Sequence, residues 1–228
     1  MTSAYSNRRA LAWGALLAGA LAFGAARAAV DAPPTIPPAP ANAAQLGPQE
    51  LMDSVSKRLF AALDANRDAI RKNPEKVYPL VDQILLPNFD TEAAARLILA
   101  KYWRTATPEQ QKRFVKALYN ALLHTYGGAL ADFTSERLKV LQFRGDLTTD
   151  KATIRTEVTR GSGAVVPVDY RLHKTDAGWK AYDVIIEGIS YVTNYRNDLG
   201  AEADAKGLEA VITRLEREGI NVDKPAKH

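Results

Sequence analysis

Cysteine is absent from all 228 residues. That removes disulfides, thiolate metal sites and thiol nucleophiles together. It also removes the cysteine that carries the lipid of a bacterial lipoprotein. Histidine is nearly as scarce. His124, His173 and His228 are the three, and no two stand at a metal-ligand spacing such as HExxH. The phosphate-cradling GxxxxGK[ST] and GxGxxG loops are missing. Ser190 follows Gly188-Ile189 but lacks the GxSxG elbow of a serine hydrolase. Beyond the opening segment no apolar run approaches the ~20 residues that a membrane-spanning helix needs. Charge of either sign is not in large excess: 30 Lys+Arg face 26 Asp+Glu.

What is present begins with a targeting pattern. Arg8 and Arg9 form a basic start, Leu11 to Ala26 is free of charge, and Ala26-Arg27-Ala28 is a small-x-small site. These features read as a signal peptide over residues 1–28, cut after Ala28. The arginine pair matches a twin-arginine signal weakly. The 16 apolar residues are too few for a membrane anchor. Removing residues 1–28 leaves 27 basic and 26 acidic residues, a net charge of +1. A near-neutral domain lacks the basic footprint of a nucleic-acid binder. The chain is thus expected to work as an exported, soluble monomer.

Val30 to Pro48 holds six prolines among alanines and polar residues. Residues 29–48 read as an extended, disordered linker. From Pro48 the apolar period is helical. Leu51, Met52, Val55, Leu59, Leu63 and Ile70 mark one helix through Arg71. Asn73-Pro74 starts a second, with Val77, Leu80, Val81, Ile84 and Leu85 on one face and Pro87 at its end. Asp90 caps a third, carrying Ala94, Leu97, Ile98 and Tyr102. Thr107-Pro108-Glu109-Gln110 has the cap, N1 proline and N3 glutamine of a capping box. The long helix after it bears Phe114, Leu118, Leu122 and Leu130, and Gly127-Gly128 should loosen or bend it. Lys101, Arg104, Lys112 and Arg113 read as a solvated face.

Near residue 138 the period becomes two. Leu138–Phe143, Ala152–Arg160, Val165–His173 and Trp179–Ile186 read as four strands, joined by short glycine-bearing turns into an antiparallel meander. Val166, Val168, Tyr170 and Leu172 share one face, with Tyr182, Val184 and Ile186 alternating along the last strand. Two helices follow, Tyr191 to Lys206 and Leu208 to Glu218, separated by Gly207. The fold class is α+β: a four-stranded twisted antiparallel sheet wrapped by about six helices. The folded domain should span 49–219, followed by a disordered tail over 220–228. Tyr182-Asp183 is the best acid–base pair available, but neighbours on a strand point to opposite faces. Trp179, after a hairpin turn, reads as core or as a sheet-edge cover.

A series of motifs resembles the MlaC family, also called toluene-tolerance auxiliary proteins. It runs through Val81-Asp82-Gln83-Ile84-Leu85-Leu86-Pro87, Tyr102-Trp103-Arg104-Thr105-Ala106-Thr107-Pro108-Glu109-Gln110, Tyr126-Gly127-Gly128-Ala129-Leu130 and Val168-Asp169-Tyr170-Arg171. It continues with Trp179-Lys180-Ala181-Tyr182-Asp183-Val184, Glu187-Gly188-Ile189-Ser190 and Asn194-Tyr195-Arg196. Each piece is weak alone; the order, from about Leu51 to Leu215, is specific.

The resemblance implies a periplasmic phospholipid carrier that moves glycerophospholipids between outer and inner membranes and maintains outer-membrane lipid asymmetry. It implies two partners: an inner-membrane ABC transporter complex bearing an MCE-domain protein, and an outer-membrane lipoprotein–porin complex. It implies no catalysis, no metal and no cofactor, with phospholipid as cargo. The implied fold is broadly that of nuclear transport factors, with an apolar cavity between sheet and helices and the headgroup in solvent. Moving a lipid into water costs ~0.8 kcal/mol per CH₂, so a diacyl lipid faces roughly 20–25 kcal/mol. A water-free pocket of ~1,000 Å³ or more, lined by Leu, Ile, Val and aromatics, is the expectation. The inward faces nominate Val77, Val81, Ile84, Leu85, Leu97 and Ile98; then Phe114, Leu118 and Leu122; then Val166, Val168, Tyr170, Tyr182, Val184 and Ile186. Ile189 and Val192 stand where a mouth would be. The alternative is an isomerase or hydrolase of small apolar substrates using the same cavity, which needs a buried Asp or His facing it.

Overall fold

The computed structural model describes residues 33–130, 134 and 137–220. The signal peptide, the start of the linker and residues 221–228 of the tail lie outside the described residues. Among those described, no helix is long and apolar enough to cross a membrane.

Helix α1 (Pro48–Ala65) starts with Pro48 at its first position, where a missing N–H costs nothing. The Glu50 side chain accepts from the Gly47 N–H at 3.0 Å. Its apolar stripe buries Leu51, Val55, Leu59 and Leu63. The helix does not run on to Arg71 as the periodicity suggested. It breaks at Asn66, and α2 (Arg67–Lys72) follows. The second expected helix is also broken up: a 3₁₀ turn Pro74–Val77, one turn of α3 (Tyr78–Leu80), a π turn Val81–Leu85 and a 3₁₀ turn Leu86–Asn88. Pro79 and Pro87 are the physical reason, since each removes a backbone donor and clashes with the turn before it. Helix α4 (Thr91–Leu99) is capped by Asp90, whose Oδ1 accepts from the Ala93 N–H at 2.8 Å. It ends at Ala100, which has a φ of 48°, before α5 (Lys101–Thr105).

Helix α6 (Pro108–Leu130) continues past Gly127-Gly128. The glycines neither end nor interrupt it. Gly127 instead admits the Tyr78 ring, because a Cβ there would stand 2.9 Å from the Tyr78 Cε1. Helices α7 (Tyr191–Lys206) and α8 (Leu208–Glu218) fall where the sequence put them. The basic face on α5 and α6 is partly tied down. Arg113 bridges Glu209 and Glu216 on α8 at 2.6 and 2.8 Å, and Lys101 pairs with Asp204 on α7 at 2.6 Å.

The sheet is antiparallel in the order β1 (Leu138–Val140), β2 (Lys151–Thr159), β3 (Val165–Thr175), β4 (Gly178–Ile186), β5 (Ile189–Ser190). It has five strands, not the four expected. The missed one is two residues long: Glu187-Gly188 turns the chain so that Ile186 pairs with Ile189. Strand β1 is shorter than expected, and the Phe143 N–H donates to the Gln49 Oε1 at 2.6 Å rather than to a strand. A bulge between Arg171 and Leu172 lets Arg171 pair with Asp183 but Leu172 with Ala181. The extra residue is Tyr182. Strict alternation along β4 therefore fails. Ala181 and Trp179 share a face with Val184 and Ile186, while the Tyr182 ring meets His173 edge-on at 5.2 Å.

Two apolar cores result. In the first, α1, α2 and the broken segment after Pro74 pack on Ala152, Ile154, Leu172, Trp179 and Ala181 of the sheet. The second is helical: Ala95, Ile98 and Leu99 of α4, Phe114 and Leu118 of α6, Val192, Tyr195 and Leu199 of α7, Val211, Ile212 and Leu215 of α8. Ile220, at the start of the expected tail, packs against this second core. Phe89 packs against both cores.

The proline-rich stretch forms no helix or strand from Pro33 to Pro40, but it is pinned to the domain. The Asn66 Oδ1 accepts from the Thr35 N–H at 3.0 Å, and its Nδ2 donates to the carbonyls of Thr35 at 2.8 Å and Ala62 at 2.7 Å. Arg58 donates to the Pro37 carbonyl. Ile36 and Leu46 pack on the first core. Its prolines keep it out of helix and sheet; Asn66, far away in sequence, supplies the clamp. Gly178 receives the far end of this strap. Its φ is +98°, and a Cβ on it would stand 2.7 Å from the Ala44 carbonyl oxygen. Gly178→Val is expected to lower stability by about 2–4 kcal/mol, combining backbone strain with a clash against main chain. Urea unfolding checks this, and a variant within error of wild type contradicts the contact.

Candidate functional site

The structure distributes the residues nominated from the sequence over the two cores, the sheet and the surface. Val77 and Ile84 are fully buried in the first core, with Leu85 and Tyr170 packed against it. Ile98, Phe114, Leu118 and Val192 lie in the second core, with Leu122 packed on it. Val81, Val166 and Val168 are buried yet belong to neither core. Val184 and Ile186 are half-buried on the sheet face of Val168 and Tyr170, their cross-strand neighbours on β3. Tyr182 lies against His173 instead. Leu97 and Ile189 are exposed, at 38% and 47%.

Two open pockets lie elsewhere. A pocket of about 670 Å³ is lined by Arg67, Ile70 and Arg71 of α2, Pro74, Gly128 of α6, Thr134 and Arg137. It is smaller than expected for two acyl chains and bears three guanidiniums instead of an all-apolar wall. Val77, Ile84, Ile98, Phe114, Leu118 and Val192 are packed into the two cores, whereas Val81, Val166 and Val168 are buried outside them. A second pocket of about 410 Å³ lies over α4 and α6 and mixes Glu92 with Lys112 and Lys116 around Trp103.

Between the cores the polar groups are committed to holding helix ends. Asp183 is buried, and its carboxylate accepts three bonds: from Arg171 Nη1 at 3.2 Å, Ser190 Oγ at 2.7 Å and the Val192 N–H at 3.1 Å. Ser190 Oγ in turn accepts from the Thr193 N–H at 3.1 Å. This arrangement satisfies orphan donors at the start of α7 and places negative charge at its positive end. His173 Nε2 lies 2.9 Å from the Asp90 Oδ2, on the same carboxylate that caps α4. His124 Nδ1 meets the Tyr78 hydroxyl at 3.2 Å.

Tyr126 of α6 and Tyr191 and Tyr195 of α7 form an aromatic group. Tyr191 stacks edge-on with each of the other two at 5.9 Å, and the Tyr126 and Tyr195 hydroxyls are 2.9 Å apart. Burial first, then the neighbouring hydroxyl, raises the pKa of Tyr191 and Tyr195. Burial alone raises that of Tyr170. These phenols stay protonated and neutral near pH 7, as an apolar environment requires. Among the described residues no three His, Cys, Asp or Glu side chains are grouped to hold a metal.

Sequence reasoning missed the three arginines, the tyrosine group and Phe89. Arg67 and Arg71, four apart on one helix, carried a signal that was available. Tyr191 and Tyr195 carried the same spacing on α7, whereas Arg137 and Tyr126 carried none, since only the tertiary fold brings them to these groups.

Comparison with known proteins agrees with this architecture. The family model described as MlaC protein matches residues 53–217. The toluene tolerance protein ttg2D of Pseudomonas putida is 30% identical over 178 residues, covering 78% of this chain and 77% of its own length. The intermembrane phospholipid transport system binding protein MlaC of Haemophilus influenzae is 22% identical over 178 residues, covering 76% and 83%. Among solved structures, the phospholipid-binding protein from Ralstonia solanacearum, in complex with a phospholipid, superposes with a TM-score of 0.68 at 27% identity. That match covers 75% of this chain and 100% of the other. On these grounds the chain belongs to the MlaC family.

Proposed function

We propose that this protein is a periplasmic phospholipid-binding transport protein, carrying glycerophospholipid between the two membranes with its acyl chains enclosed and its headgroup at the surface. The observation that carries the reading is the Ralstonia likeness: the whole of a chain solved with a phospholipid matches this one. The family relatives named for phospholipid transport and toluene tolerance support it.

The acyl chains enter where the two cores meet. Val81, Val166 and Val168, buried outside either core, and the half-buried Tyr170, Val184, Ile186 and Leu122 offer apolar surface for them. Parting the cores along this seam replaces side-chain contact by chain contact, so little apolar area meets water on loading. Ile189, exposed beside the turn that pairs it with Ile186, stands at the mouth. The partners in this reading are the inner-membrane ABC transporter complex with its MCE-domain protein and the outer-membrane lipoprotein–porin complex. The carrier works as a monomer, without cofactor or catalysis. The acid–base candidates, Asp183 and His173, are engaged in holding α7 and α4.

The test is loading in vitro. Protein stripped of lipid and incubated with phospholipid vesicles should emerge from gel filtration with lipid bound. Protein that emerges lipid-free under all vesicle compositions contradicts the reading.

A further inference from the structure

Helix α6 serves both cores. Phe114 and Leu118 lie in the second core, and Leu122 packs on it. Farther along, Leu130 packs on the first core. So does Tyr78, whose ring meets His124 edge-on at 5.1 Å and would stand 2.9 Å from a Cβ on Gly127. Tyr126 stands within this first-core stretch of α6, one turn beyond Leu122. Its hydroxyl reaches across: it lies 2.9 Å from that of Tyr195 on α7, and Tyr195 is buried in the second core. The Tyr126–Tyr195 bond therefore crosses from one core to the other.

Tyr191 completes the bridge, with its ring edge-on to both Tyr126 and Tyr195 at 5.9 Å. It comes two residues after Ile189. The bridge is thus next in the chain to two residues of the lipid path, Leu122 on α6 and Ile189 at the mouth. Three phenylalanines would serve to bury the rings and stack them. The hydroxyls add one directional bond whose ends belong to different cores. When the cores part, that bond is lost. A bond present in one state and absent from another biases the equilibrium between them.

We infer that the Tyr126–Tyr195 hydroxyl pair is a clasp that holds the empty carrier closed and opens as lipid enters along the seam. The inference rests on the carrier reading and adds to it the residues that gate loading. Closed, the clasp keeps the apolar seam from water between rounds of transport. The bond joins two neutral phenols, and one such bond shifts an open–closed equilibrium by roughly fivefold.

The experiment follows the rate at which the full protein, stripped of lipid, takes up phospholipid from vesicles of dioleoyl phosphatidylglycerol and dioleoyl phosphatidylethanolamine. Tyr126→Phe and Tyr195→Phe each remove the bond and keep the rings, and each should load about fivefold faster than wild type. The double variant should load no faster than the single ones, since all three lack the same bond. Thr107→Ala removes the hydroxyl that caps the far end of α6 and controls for general loosening; it should load as wild type does. Unchanged or slower loading in the phenylalanine variants overturns the inference and leaves the carrier reading standing. Equal acceleration by Thr107→Ala does the same, as do gains that multiply in the double variant. Absence of loading in wild type and every variant overturns the carrier reading itself. A second readout uses the unaltered protein. Ruthenium-sensitised photo-oxidation joins tyrosine rings that lie together, and peptide mass spectrometry identifies the pair. The Tyr126–Tyr195 cross-link should form in the stripped protein and fall several-fold in the loaded one. Equal yields in the two states overturn the clasp.

Discussion

Asp183→Ala should destabilise the domain by about 3–5 kcal/mol, the range for removing one member of a buried, hydrogen-bonded charge cluster. The loss is more than one bond. The carboxylate ties β4 to α7 through Val192, fixes Ser190 as the cap of that helix, and partners Arg171 across the strand. Without it, the Val192 N–H and the Ser190 hydroxyl lose their acceptor in a place closed to water. Arg171 is half-exposed and can turn to solvent, so its share of the cost is small. Asp183→Asn keeps an oxygen for Val192 but turns an NH₂ toward Ser190 and Arg171, and should cost about 1–2 kcal/mol. Urea unfolding with linear extrapolation separates the two. An alanine variant within ~1 kcal/mol of wild type would show that α7 is held by packing alone.

Val184→Glu should leave the fold intact and reduce lipid loading by about a hundredfold. Val184 is half-buried, so an ionised glutamate there keeps water while the seam is closed. Loading would strip that water, because an acyl chain would cover the face that Val184 shares with Tyr170. Desolvating a carboxylate without a partner costs several kcal/mol, and ~2.7 kcal/mol already corresponds to a hundredfold. Ile189→Glu, at the exposed mouth, should act more weakly, since only part of its surroundings is desolvated. Thermal melts confirm folding and the vesicle assay measures loading. If both variants load as wild type does, the chains do not pass along this face.

Much of the fold was legible because it follows from local rules. The caps at Asp90 and Thr107, the N1 prolines and the change of apolar period at residue 138 each fix one element boundary. The two closing helices came out at their observed ends because Gly207 separates them cleanly. The misreadings share a cause. Apolar periodicity cannot register that Pro79 splits a helix, that Tyr182 is an extra residue in β4, or that Ile189 folds back on Ile186. One misplaced residue in a strand exchanges faces, and Tyr182 was lost from the expected face in that way.

The site was less legible for a deeper reason. A lipid-binding surface and a packed core use the same residue types, so the sequence could nominate Val77 and Phe114 beside Val168 and Val184. The structure places the first two fully enclosed in the cores and the second two on one face of the sheet, outside both cores. Arg67 and Arg71 stand together on one helix, but only the fold brings Arg137 to the same pocket.

The most direct measurement is mass spectrometry of the organic extract of the protein purified from periplasm without detergent. Phospholipid co-purifying in near-stoichiometric amount, and absent from the Val184→Glu variant, is the predicted result. Protein that arrives free of lipid and cannot be loaded from vesicles contradicts the account.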